Sequence, residues 1–132
     1  MPSLGGWIAV GGGAAVGAWL RWGLSILLNP LFSTVPMGTL AANLGGGLLM
    51  GVAIEITTRH SLMSPELRLL LTTGFLGGLT TFSTFSAEAT SLLLHREWSW
   101  SALLIGAHVA GSIALTVLGI LIARAVFGWG QG

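Results

Sequence analysis

The sequence has no cysteine, no lysine, no aspartate and no tyrosine, and its only formal charges are five arginines and four glutamates in 132 residues. Without cysteine there is no disulfide framework and no thiolate metal site. So few charges also exclude a soluble domain of this size, because 53% of the residues are hydrophobic and too little polar material remains to solvate a surface. The mean hydropathy of +0.88 says the same. A pI near 9.2 rests on a net charge of only +1 from scattered arginines, which leaves no electrostatic footprint for nucleic acid. An enzyme acting on a charged soluble substrate has little to work with here, and no catalytic constellation is present. What is abundant is glycine, 21 residues, roughly twice the ordinary share. Four prolines and the lack of a G-x-y period rule out collagen. The composition is that of an integral membrane protein.

About 20 residues of helix cross a hydrocarbon core of roughly 30 Å. Four stretches reach that length, and the expected class is an all-α protein of four transmembrane helices forming a single domain over residues 1–132. The first span runs over 7–28 and closes at Asn29-Pro30. The second covers 37–57, between Pro36 and the polar Thr58-Arg59-His60. The third follows Ser64-Pro65-Glu66, a cap with proline at the first helical position, and covers 66–94; the fourth covers 100–127. Trp7, Trp19, Trp22, Trp98, Trp100 and Trp129 are expected near span ends, at headgroup level. The start Met1-Pro2-Ser3 has no basic n-region, so no cleaved leader is expected. Arg59, Arg68 and Arg124 fall on one side and Arg21 and Arg96 toward the other, a very weak positive-inside bias. Such a chain is expected to insert either way up, which permits an antiparallel homodimer.

Gly13 and Gly17, Gly47 and Gly51, and Gly74 and Gly78 are each four residues apart, the spacing that lets helix backbones approach closely. Gly106, Gly111 and Gly119 continue the theme, and a tight bundle with a close subunit interface is expected. In the third span, GFLGGLTTFSTFS places Gly77-Gly78 beside Thr80-Thr81, a combination that disfavours an unbroken helix. A break frees backbone carbonyls that must find hydroxyls, water or a cation. Two copies packed antiparallel would bring both sets to a two-fold axis, where carbonyl oxygens suit a small monovalent cation; a tilted or kinked helix without an ion is the structural alternative.

Polar residues inside apolar spans need a reason. Thr39, Asn43, Gly47 and Gly51 form one stripe at four-residue spacing, and His108, Ser112 and Thr116 form another. Two stripes point to a narrow path or to interhelical hydrogen bonds. Phe82 and Phe85 share a face, with Ser83 and Thr84 between them. Phenyl rings usually pack, yet their positive edges beside hydroxyl and amide donors suit a dehydrated anion without trapping it. Glu88, four residues after Thr84, is expected to accept hydroxyl hydrogen bonds, and Arg21 to snorkel to a vestibule or pair with lipid phosphate.

The segments GGGAAVGAWLRW, PMGTLAANLGGGLLMG and TGFLGGLTTFSTFSAE, in this order and lying in the first three spans, resemble the fluoride channel family (Fluc, also called CrcB). The resemblance implies an antiparallel dual-topology homodimer in the cytoplasmic membrane of a bacterium, with two fluoride pores and a central structural Na+ held at Gly77 and Thr80. It implies that Asn43, Phe82, Phe85, Ser83, Thr84 and Ser112 line the fluoride path, with Arg21 at its aqueous entrance and Glu88 as the family's third-helix glutamate; the stripe residues Thr39, His108 and Thr116 are expected at the entrance or in support. Relatives often carry a tyrosine one turn before the fourth-helix stripe; here Leu104 holds that turn, and His108 stands where a small hydroxyl residue is more ordinary. The implied activity is passive fluoride export to limit toxicity, with lipid, fluoride and a second copy as partners. Two other readings remain at this level: a four-span multidrug or cation exporter using Glu88, and a non-conducting assembly protein.

Overall fold

A computed structural model describes residues 1–59 and 63–128; His60 and Trp129 lie outside the described residues. Among the described residues the chain is helical, with no strand. Helix α1 spans Leu4–Leu28, opened by Ser3, whose hydroxyl accepts the Gly6 N–H at 3.1 Å. A 3-10 turn over Asn29–Leu31 ends it, as Asn29-Pro30 predicts. The Asn29 side chain then accepts the Gly38 N–H at 2.8 Å, tying that turn to the start of α2, Met37–Arg59.

The third span begins at the expected cap, Ser64 accepting from Leu67 N–H ahead of α3, Pro65–Leu69. It continues as a π-helical segment, Leu70–Leu76, and a short α4, Gly77–Leu79. The chain is then extended at Thr80 (φ −86°, ψ 152°) and Thr81 (φ −148°, ψ 117°) before α5, Phe82–Leu94. The predicted interruption is therefore present, but Gly77 and Gly78 stay helical and the two threonines carry it. Their β-branched side chains favour extended backbone, and Thr81 caps the new helix by accepting the Thr84 N–H at 3.1 Å.

After α5 the chain reverses at Arg96, whose φ of 59° is left-handed. Arg96 N–H donates to Leu93 O and Glu97 N–H to Leu92 O, the paired bonds of a Schellman ending in which glycine is the usual residue. The last helix, α6, spans Trp98–Phe127.

Two helices, α2 and α6, are long and apolar enough by themselves to cross a membrane. Helix α1 has the length, about 37 Å for 25 residues, but its glycines, tryptophans and Arg21 dilute its hydropathy. The third span divides at the threonines. The surface is unlike that of a soluble protein: Ile8, Trp19, Leu27, Leu103, Ile113 and Leu121 are among many large apolar side chains left exposed on α1 and α6. Trp7 and Trp98 sit near helix starts as expected, whereas Trp19 and Trp22 lie nine and six residues before the end of α1, deeper than the interfacial reading placed them.

Two backbone-to-backbone seams hold the helices. Gly13 and Gly17 of α1 face Gly74 and Gly78; a Cβ at Gly74 would stand 2.8 Å from Val10 O. Gly47 and Gly51 of α2 face α6, where a Cβ at Gly47 would stand 2.9 Å from Ser112 O, and Gly119 returns the contact against Leu48 and Val52. All three predicted glycine pairs thus serve contacts within one chain. Gly111 meets Leu44, while Gly106 faces open space.

Candidate functional site

The break at Thr80-Thr81 needs partners for its backbone, and α2 supplies them. Asn43 Oδ1 accepts the Thr81 N–H at 2.7 Å, and Asn43 Nδ2 donates to Thr81 O at 3.0 Å, so one carboxamide replaces both lost helical bonds. The second Nδ2 hydrogen reaches His108 Nδ1 at 3.0 Å. Thr80 turns its hydroxyl back to Leu76 O at 2.8 Å and lays its methyl against Gly46. From the opposite side, Arg21 Nε donates to Gly78 O at 3.0 Å, placing a cation at the carboxyl end of the interrupted helix.

Beside this knot lies a groove of about 410 Å³, open along one side. Of the residues singled out from the sequence, it brings together Asn43, Thr80, Phe82, Phe85, His108, Ser112 and Thr116. Gly46, Met50, Leu76, Val109 and Ile113 complete most of its apolar wall. Among the described residues, no arginine or glutamate lines it. The two phenyl rings meet edge to face, centroids 5.5 Å apart at 73°. Phe85 is buried, at 7% exposure, and stacks on His108 at 4.6 Å; Phe82 is 77% exposed.

The polar stripes of α2 and α6 do face one another, but they do not enclose a path between them. Backbone contact at Gly47 and Gly51 closes that seam, and Thr116 spends its hydroxyl on Ser112 O at 2.8 Å. The groove runs alongside, on the face where α5 begins.

Several expected residues lie elsewhere. Ser83 faces a second, shallower groove with Ser86, Thr90 and Ser91. The Thr84 hydroxyl is engaged by Thr81 at 3.1 Å. Glu88 takes its hydrogen bond from Thr39, at 2.6 Å, and not from Thr84. Arg21, expected at an aqueous vestibule or a lipid phosphate, donates its Nε–H to Gly78 O at the break. Gly77 is absent from the groove lining. Its carbonyl nonetheless loses its regular helical donor, because the Thr81 N–H is turned to Asn43.

The residue that sequence reasoning undervalued is Thr81, read only as part of the break. It is the hub that Asn43, Thr84 and Ser83 all touch. A hydroxyl residue three positions before another polar residue at a helix start was its available signal. Glu55 was also missed: buried in α2, it pairs with Arg59 at 2.5 Å and Arg124 at 3.0 Å.

Residues 8–120 match the family described as CrcB-like protein, Camphor Resistance (CrcB). A protein of Nitrosospira multiformis named fluoride-specific ion channel FluC is 56% identical over 116 residues, 88% of this chain and 91% of the relative. One of the same name from Aromatoleum aromaticum is 62% identical over 112 residues, 85% of this chain and 86% of its own length. Another from Ralstonia pickettii is 55% identical over 119 residues, 90% and 94% of the two chains. An all-helical membrane chain that matches over nearly its whole length belongs to the CrcB-like family of membrane channel proteins.

Proposed function

We propose that the chain is a fluoride channel, not an enzyme, that lets F− leave a bacterial cell passively across the cytoplasmic membrane. The observation that carries this reading is the uncharged groove in which the Phe82–Phe85 edge-to-face pair stands beside the Asn43–His108 knot. Fluoride must exchange a strong hydration shell for hydrogen-bond donors and ring edges, and must then leave again. A fixed cation in the lining would hold it too tightly. The names of the relatives supply the identity of the ion.

The working unit is an antiparallel homodimer of four-span chains with two pores. A groove open on one side, with Phe82 largely uncovered, is half of an enclosure. Dual insertion is favoured by the near-even split of the arginines, Arg59, Arg68 and Arg124 against Arg21 and Arg96, which leaves only a weak positive-inside bias. A sodium ion fits the freed carbonyls of Gly77 and Thr80. These are neutral, hard oxygens, one released by the turning of Thr81 and the other set in extended backbone. Two carbonyls do not complete a sodium shell, so the second copy would supply more; bound there, the ion would neutralise converging carbonyl dipoles. Arg21, Thr39 and Glu88 then act in support, holding the break and α5 rather than touching the anion.

The test is efflux of fluoride and of chloride from liposomes carrying only the purified protein, with and without an imposed proton gradient. Rapid fluoride release, background chloride release and indifference to the proton gradient are expected. Loss of fluoride release in correctly assembled protein would favour an assembly role. Dependence on the proton gradient would favour an exporter working through Glu88.

A further inference from the structure

His108 is 3% exposed, and its Nε2 is buried without a hydrogen-bond partner among the described residues. The protonation of this ring follows from the break in the third span. Thr81 presents a backbone N–H and a C=O to the same carboxamide, so Asn43 must turn Oδ1 to the first and Nδ2 to the second. A flipped amide would set donor against donor and acceptor against acceptor. The remaining Nδ2 hydrogen therefore points at His108 Nδ1, 3.0 Å away, and Nδ1 must accept it. A neutral imidazole that accepts at Nδ1 carries its proton at Nε2. The doubly protonated ring is disfavoured, because an Nδ1 proton would confront the Asn43 amide. The backbone at Thr81 thus dictates the tautomer of a side chain on another helix.

The result is a buried N–H donor in the wall of the groove with no partner among the described residues, a costly state unless an acceptor arrives. The Phe85 ring stacked at 4.6 Å holds the imidazole plane. We infer that His108 is an ion-coordinating residue of this channel, its Nε2–H donating to the passing fluoride while Nδ1 stays locked by Asn43. Asn43, with both amide hydrogens already engaged by Thr81 and His108, then acts largely through the histidine it orients. This assignment rests on the fluoride reading above and names the donor that reading requires.

The experiment combines ring 15N NMR with flux. In purified full-length protein labelled at histidine, and without fluoride, the His108 signals, identified by their loss in H108Q, should report a neutral ring protonated at Nε2. A proton at Nδ1 would overturn the lock. Titration with sodium fluoride should move the Nε2 resonance and leave Nδ1 nearly unchanged; no movement would mean that the donor is filled otherwise, by water for instance, and would overturn the coordination. In liposomes, H108N keeps an acceptor facing Asn43 but has no donor at the Nε2 position, whereas H108Q restores an N–H there. Fluoride efflux should fall about tenfold or more in H108N and recover in part in H108Q. Wild-type flux in H108N would overturn the assignment while leaving the channel reading intact. Wild-type protein that releases no fluoride would overturn the channel reading itself, and this assignment with it.

Discussion

The two halves of the third span are held by opposite means. Residues 65–79 lie on α1 through glycines, backbone against backbone, with Gly13, Gly17, Gly74 and Gly78 leaving no room for a side chain. Beyond Thr81, α5 is joined to the rest through side chains: Asn43 on the break, Thr39 on Glu88, and Phe85 in a small cluster with Val35, Ala89 and Leu104. The first half is a scaffold whose contact glycines, Gly74 and Gly78, leave no room for a Cβ. The second is a presented element, aimed by a few directional bonds, and the groove lies where the two meet. Rigid seams position the break, and the polar contacts decide what the break displays.

The sharpest way to break this contrast is at the seam. Gly17→Leu would drive a side chain into Phe75 O and into Leu79 N, which a Cβ alone would meet at 2.7 Å. No monodisperse protein is expected on detergent chromatography. Next comes the knot: Asn43→Ala leaves the Thr81 N–H and C=O without partners and should cost about 2–5 kcal/mol together with most of the fluoride flux. Asn43→Asp, which keeps the acceptor but sets a carboxylate against Thr81 O, should fare no better. Thermal unfolding in detergent and liposome efflux would check both.

The two phenylalanines separate stability from conduction. Phe85→Ala empties a buried site and should cost about 3 kcal/mol, whereas Phe82→Ala, at an exposed position of the chain, should lower the unfolding temperature much less. Both should reduce fluoride efflux, and unchanged efflux in Phe82→Ala would remove that ring from the path. The smallest effect is expected at the turn after α5. Arg96→Gly relieves the left-handed backbone and should raise stability by about 1 kcal/mol with flux unaltered.

Much of this was legible in the sequence because it depends on spacing. Glycines four residues apart announce close helix contacts, Ser64-Pro65 announces a helix start, and two adjacent threonines after a glycine pair announce a break. Local chemistry suffices for each. What was not legible was which neighbour each polar group would choose. Helical spacing matches Glu88 to Thr84, yet Thr39 on α2 reaches it instead. Arg21 read as an interfacial cation, yet a freed carbonyl across the α1 seam claims it. The turn at Arg96 carried no glycine to reveal it.

By itself, then, the sequence determined that this is a glycine-rich, charge-poor membrane chain with an interrupted third span. Periodicity and composition act within a helix, and those conclusions need nothing more. Only the tertiary structure decided that the glycine pairs act within one chain, that the groove runs beside the α2–α6 seam, and that Thr81 orients Asn43 and Asn43 fixes the proton on His108. Those are choices among donors and acceptors brought from distant parts of the chain. A hydrogen bond's partner is set by distance and direction in space, which residue spacing along one helix does not encode.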